Sequence, residues 1–250
     1  MELARALDLG DRELVSFVGA GGKKTSMARL VEEGRARVQI GYTTTTHMPP
    51  PESIPLFVAD PGDLEDRLES ADTPVAFASE RVANPARVDA KVTGFRPATL
   101  DSIFEADLLD WIVVKADGAR MREFKAPGDG EPAVPGASTL VVPVVSAKIF
   151  GRPLGEAAVH RPERVAAIAD VERGTEITPE LVGEVLASAD GGLKGVPQAT
   201  RVAAIINKAD GDDERDRARG ALEAAFARSD RFERGLVTSF ETETLDVIRP

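Results

Sequence analysis

The sequence predicts an α/β protein of the three-layer, P-loop NTPase-like kind, with a mostly parallel sheet and a small helical insertion. Three observations predict it. An apolar strand over residues 13–18 runs straight into the glycine turn Gly19-Ala20-Gly21-Gly22. A helical pattern and a second strand follow, and strand, glycine turn, helix, strand makes a βαβ unit, whose parallel strands need a right-handed crossover. Residues 111–114 (Trp-Ile-Val-Val) are apolar at every position, as a central strand covered on both faces requires.

The elements follow in order. Residues 25–33 form a helix with Met27, Leu30 and Val31 on one face, and Gly34 is its expected C-cap. Residues 37–42 and 54–58 read as strands, 63–69 as a polar helix, 100–109 as a helix and 140–145 as a strand. Pro143 predicts that this last strand is bent or lies at an edge. Two helices, 162–169 and 179–187, each carry Pro in the first turn, where the missing N–H costs nothing. Thr178 is the expected N-cap of the second. Because residues 154–198 break the βα rhythm, they are expected to form the helical insertion, or cap, within a single domain spanning 1–250. A strand at 201–206, a charged helix at 213–228 and a last strand at 235–240 complete the chain.

Composition narrows function. A chain of 250 residues without cysteine needs no staple to fold, and it has no disulfide, thiolate metal site or thiol nucleophile. The acidic N-terminal stretch lacks a signal-peptide pattern and no apolar run reaches the roughly 20 residues of a membrane span, so a cytoplasmic protein without membrane contact is expected. A formal charge of −11 opposes binding to nucleic acid. An acidic surface with sparse Lys suits a salt-rich, halophilic cytoplasm.

Against that charge, the basic residues near the glycine turn stand out. In Gly19-Ala20-Gly21-Gly22-Lys23-Lys24-Thr25-Ser26, glycines allow close approach of phosphate, and the helix N-terminus and a lysine supply positive charge. The spacing fits a short Gly-x-x-Gly-Lys loop, as in Mur-type ligases, better than the long P-loop. Two assignments stay open. Either Lys23 meets the phosphates and Thr25 or Ser26 supplies the Mg²⁺ hydroxyl, or Lys24 and Thr25 are the working pair. Asn207-Lys208-Ala209-Asp210 follows a strand, where Asp accepts from the guanine edge and the Lys stem packs on the base; a plain turn with Asp210 as N-cap is the alternative. In Lys115-Ala116-Asp117-Gly118-Ala119-Arg120, Asp117 stands where a Mg²⁺ ligand sits in phosphate-loop enzymes. Thr43-Thr44-Thr45-Thr46-His47 could place hydroxyls, Thr46 above all, on Mg²⁺ or phosphate, although threonines also simply favour strands. Arg120, Arg122 and Lys125 concentrate cations for an anion. His47 and His160 are weaker candidates for a base or ligand.

The ordered set Val18-Gly19-Ala20-Gly21-Gly22-Lys23, Thr43 to Met48, Val114 to Arg120, Lys125-Ala126-Pro127, Glu131-Pro132, His160-Arg161-Pro162, Lys194 to Pro197 and Ile206 to Asp210 resembles the YqeC-type accessory family of selenium-dependent molybdenum hydroxylases. The resemblance implies a role in maturing such enzymes and a partner among them or their cofactor-maturation proteins. Lys24 departs from the family's usual Gly-Gly-Lys-Thr. Three readings follow. One is an NTP-hydrolysing accessory factor using Mg²⁺ with GTP or ATP, in which Lys23, Asp117 and Arg120 are catalytic and Thr25, Thr46 and Asp117 hold the metal. The second is an ATP-dependent ligase or kinase with a Mur-like loop. The third is a non-catalytic binder of a molybdenum–pterin nucleotide. The acidic composition makes its own prediction: the urea midpoint rises from low to molar KCl, and full stability at low salt contradicts the halophilic reading.

Overall fold

The computed structural model describes residues 2–83 and 91–250. Its elements are, in chain order, α1 (Leu3–Ala6), β1 (Glu13–Gly19), α2 (Lys23–Gly34), β2 (Ile40–Thr44), β3 (His47–Met48), β4 (Leu56–Val58), α3 (Leu64–Glu69), β5 (Val75–Ala78), β6 (Glu80–Val82), β7 (Lys91–Thr93), α4 (Pro97–Glu105), β8 (Trp111–Lys115), β9 (Phe124–Lys125), β10 (Leu140–Ser146), β11 (Val159–His160), α5 (Pro162–Ile168), α6 (Pro179–Ala187), β12 (Arg201–Asn207), α7 (Asp212–Phe226), β13 (Phe232–Ser239) and β14 (Thr244–Ile248). Among the described residues, nine strands form one sheet in the order β14-β13-β12-β10-β1-β8-β2-β5-β4. Eight of the nine run parallel, and β14 pairs antiparallel with β13.

Alternation along the strands explains the layers. Val15 and Phe17 of β1, Trp111 and Val113 of β8, and Ala203 and Ile205 of β12 pack on one face with Met27, Leu30 and Val31 of α2. Their neighbours Leu14, Ile112 and Val114 turn to the other face, against Leu64 and Leu68 of α3 and Leu100 and Ile103 of α4. Val202, Ala204 and Ile206 meet α5, α6 and α7 on that same side. The result is helix, sheet, helix, as a parallel sheet with apolar residues at every position demands.

Several expectations need correction. Pro143 marks neither an edge nor a free bend, because β10 lies inside the sheet between β1 and β12 and is buried throughout. Its missing donor is absorbed by the ladder: pairing to β12 joins Leu140 and Val141, then resumes at Val144. Gly34 is the last residue of α2 rather than its C-cap, which is Arg35. A Cβ on Gly34 would lie 2.9 Å from the Trp111 ring, so the glycine serves packing. Residues 235–240 are not the last strand, since β13 starts at Phe232 and turns into β14. The second strand starts at Ile40 and the helix expected at 100–109 spans Pro97–Glu105. The short strands β3, β5, β6 and β7 carry too few residues to show a period.

The segment 154–198 connects the neighbouring parallel strands β10 and β12, and its α6 shares one core with α7 and β12. The Thr178 hydroxyl accepts from the Leu181 N–H and caps α6, as the sequence predicts. Among the described residues, no helix is long and apolar enough to cross a membrane.

The α6–α7 contact depends on Gly183. A Cβ there would lie 2.6 Å from Ala224 Cβ and 2.7 Å from the Ala221 carbonyl. Gly183→Val should therefore lower stability by about 1–3 kcal/mol, read as a reduced urea midpoint; an unchanged midpoint contradicts this packing.

Candidate functional site

Strand order locates the site. From β1 the chain first builds one side of the sheet (β2, β4, β5) and returns through β8. It then crosses to the other side of β1 for β10, β12 and β13. In open α/β sheets, the crevice at such a reversal, beyond the carboxyl ends of the strands, is where ligands bind. The glycine turn after β1 occupies that place. The candidate residues stand at and just beyond the carboxyl ends of parallel strands: Thr43 to Thr46 at β2, Lys115 to Asp117 at β8, and Asn207 to Asp210 at β12.

The turn is closed by contacts that only glycine permits. Gly19, Gly21 and Gly22 have φ of +90°, +83° and +143°. A Cβ on Gly19 would meet the Val144 carbonyl at 2.3 Å, one on Gly21 the Ser146 backbone at 2.5 Å, and one on Gly22 the Asn207 amide at 2.2 Å. Ala20, 1% exposed, donates its N–H to the Val144 carbonyl. No side chain caps α2, so its first N–H groups face the crevice end.

Under the turn lies a buried charge cluster. Asp117 Oδ2 accepts from the Gly19 N–H at 2.8 Å and forms an ion pair with Lys125 Nζ at 2.9 Å. Lys23 Nζ stands 2.8 Å from Asp117 Oδ1 and also donates to the Gly19 carbonyl. The Lys23 contact with Oδ1 is one of charge rather than an aligned hydrogen bond, and Oδ1 accepts none. Lys125 continues to Glu131 at 2.8 Å, which also receives Arg161 at 2.7 Å. Lys115 Nζ donates to Thr46 Oγ1 and to the His47 carbonyl, both at 2.9 Å. Four cations thus surround two carboxylates.

Burial and charge act against each other here. Burial would raise the Asp117 carboxyl, but Lys23, Lys125 and the Gly19 N–H outweigh it and hold it below its ordinary value. Burial lowers Lys23 despite Asp117. Burial, then the Lys23 charge, pushes Lys115 down to about 8. Glu131, which burial would raise, is held at about 2 by Lys125 and Arg161. Four basic side chains thus share two carboxylates at the start of α2, and burial works against the charged forms of Lys23 and Lys115.

The structure brings Lys23, Lys115, Asp117, Lys125 and Thr46 together. It leaves Lys24 and Thr25 exposed on the first turn of α2 and buries Ser26, whose hydroxyl turns back to the Gly22 carbonyl at 3.4 Å. Three of the threonines hold backbone: Thr43 bonds the Phe77 carbonyl, Thr44 the Lys115 carbonyl and Thr45 the Ala133 carbonyl, each at 2.7 Å. His47 is exposed, as is Arg120, which has a φ of +46°. On the other side, Asn207 donates to the Gly21 carbonyl at 3.3 Å and accepts from Thr238 at 3.0 Å. Among the described residues, no three His, Cys, Asp or Glu side chains converge as a metal cage.

With this geometry stand two comparisons. The family model for the YqeC protein matches residues 15–163. A protein of Escherichia coli (strain K12) named "Uncharacterized protein YqeC" is 32% identical over 214 residues, covering 82% of this chain and 80% of that one. The chain belongs to the YqeC family. The matched span takes in the glycine turn, the threonine run, Asp117, Lys125, Glu131 and Arg161, while Asn207 to Asp210 lies beyond it.

Within this YqeC-family chain, Glu131 and Arg161 enter the sequence reading only as parts of Glu-Pro and His-Arg-Pro segments; their pairing across the parallel bridge of β9 and β11 needs the fold. Lys148 and Ser239, which both bind Asp210, escape a reading of the sequence. The usable signal is their position just past, or at the end of, an apolar strand.

His160 borders the same loop. Burial, then the charges of Arg161, Lys125 and Arg120, lowers it from 6.5 to about 4. Between those values the unfolded chain binds more protons than the folded one, so this residue's contribution to stability falls as pH drops from 6.5 to 4. His160→Gln should lose less stability than wild type in urea titrations as pH falls from 6.5 toward 4. Equal losses in both proteins contradict the assignment.

Proposed function

We propose that the chain is a nucleotide-binding accessory factor with a P-loop NTPase-like architecture. In this reading it hydrolyses GTP or ATP with Mg²⁺ in the cytoplasm and serves the maturation of selenium-dependent molybdenum hydroxylases. The observation that carries the proposal is the excess of buried cations, Lys23, Lys115 and Lys125 around Asp117, beneath an uncapped helix and a glycine turn. A triphosphate supplies the anion that this cluster lacks.

The donor set fits Mg²⁺, which keeps several waters and takes one or two carboxylates plus substrate phosphates. Asp117 Oδ1, buried and without a hydrogen bond, is the oxygen that would hold it, with the Thr46 and Thr25 hydroxyls as further donors. The ion, when bound, would neutralise charge developing on the phosphates. The protein's own part is electrostatic. Lys23 leaves Asp117 for the phosphates and stabilises the transferred charge. Arg120, exposed and close enough for its charge to act on His160, would meet an anion from the loop after β8. A molybdenum–pterin nucleotide would present phosphates to the same groups and is the proposed cargo. Family membership supports the accessory role.

Titration calorimetry with Mg²⁺ and GTP or ATP tests the site. Losing a charged phosphate contact costs about 1.5–3 kcal/mol, so Lys23→Ala should weaken binding roughly 10–100-fold, whereas exposed Lys24→Ala should change it little. Because an anion raises Lys115 from about 8 toward 10.5, binding near pH 8 should take up protons, seen as a dependence of the heat on buffer. Unchanged affinity in both lysine variants contradicts the phosphate site.

A further inference from the structure

We infer that the site reads the base of its nucleotide as guanine, through the Asp210 carboxylate; the inference rests on the nucleotide-binding reading above. The plainer role for this residue fails first. Asp210 does not cap the following helix: Gly211 is the N-cap of α7, and its N–H goes to Glu214 Oε2 at 2.7 Å. The Asp210 side chain is 23% exposed and held from two directions. Ser239 Oγ donates to Oδ1 at 2.6 Å, and Lys148 Nζ lies 2.9 Å from Oδ2. Each carboxylate oxygen retains a second lone pair, so a held, two-oxygen acceptor remains partly exposed just beyond the carboxyl end of β12.

Asn207 ties this acceptor to the phosphate loop. Its amide bonds the Gly21 carbonyl, and Thr238 holds its oxygen. From Asn207 to Asp210 the chain spans at most about 10 Å when extended, on the scale of a nucleoside. Between them, Lys208 takes a φ of +62° and sends its ammonium to both Glu123 oxygens at 2.9 and 2.8 Å. Its stem therefore bridges the end of β12 and the loop after β8. A stretched aliphatic stem offers a flat base an apolar surface.

Charge separates the two ends of the site. Around Asp210, three carboxylates (Asp210, Glu214 and Glu123) meet two ammonium groups, Lys148 and Lys208. The phosphate end has the opposite excess. An acceptor pair in a negative surround selects a base edge with two adjacent donors. Guanine presents N1–H beside its 2-amino group; adenine presents an acceptor at N1, and each pyrimidine places a carbonyl beside its ring nitrogen. The two Asp210 oxygens match the guanine pair alone.

The test compares Mg²⁺ complexes of GTP, ITP, ATP and XTP by titration calorimetry, on wild type and Asp210→Asn. Wild type should bind GTP roughly 10–100-fold more tightly than ATP, and more tightly than ITP, which lacks the 2-amino group. In Asp210→Asn, Oδ1 still accepts from N1–H while Nδ2 donates, which fits the C2 oxygen of xanthine. GTP should weaken and XTP should tighten, a gain that an unfolded or merely loosened variant cannot produce. Equal wild-type affinity for GTP, ITP and ATP overturns guanine reading and leaves the nucleotide reading standing. So does a uniform loss for all four in Asp210→Asn. Binding of no triphosphate by wild type ends both.

Discussion

The Asp117 carboxylate is the point on which the site turns. It accepts the Gly19 N–H that begins the glycine loop, stands against Lys23 at the start of α2, and receives Lys125 from β9. Both lysines are buried with it, so neither contact is interchangeable with water. Removing the carboxylate would leave the Lys23 ammonium buried without a counter-charge, a loss on the order of 3–5 kcal/mol. With it in place, Lys115 is a further basic side chain of the same cluster, beside the Asp117 and Glu131 carboxylates that Lys23, Lys125 and Arg161 already share.

Topology makes that concentration of charge possible. The parallel strands of the sheet all end on the same side, and the strand order reverses at β1, the place where open α/β sheets hold ligands. Side chains from several strand ends enter it without any one strand supplying more than a few. The segment 154–198 contributes from outside the sheet. Arg161 reaches Glu131, Arg164 reaches Asp129 at 2.8 Å, and Lys194 reaches the Gly128 carbonyl at 2.7 Å. The loop that follows Lys125 is therefore fastened to the connection between β10 and β12. Glu131 and Arg161 thereby link Lys125 to the start of α5.

Much of this is legible in the chain itself. The strand and glycine turn at Glu13 to Gly22, the apolar run at Trp111 to Val114 and the N-cap at Thr178 each follow from local chemistry that the fold leaves intact. Pro143 misleads because its effect depends on which neighbour lacks a donor, a property of the sheet rather than of residue 143. Gly34 misleads because a glycine at a helix end serves either a turn or a neighbour, and only Trp111 decides between them. The charged side chains show the same division. The Lys23-Lys24 pair and Asp117 announce themselves by their places after apolar strands. Glu131, Arg161, Lys148 and Ser239 do not, because contacts between residues so far apart in the chain leave no periodic trace. Nor do two adjacent lysines reveal their burial: the structure turns Lys23 inward and leaves Lys24 exposed.

The proposed function stands on one feature: the lysines gathered around Asp117, to which a nucleotide would bring its phosphates. The melting temperature of the wild-type protein with Mg²⁺ and each of GTP, ATP and CTP probes that proposal without any variant. A ligand present at about a hundred times its dissociation constant stabilises the folded state by about 2.7 kcal/mol. A clear, concentration-dependent rise is expected with at least one triphosphate. No rise with any of them up to millimolar concentration would contradict the nucleotide site.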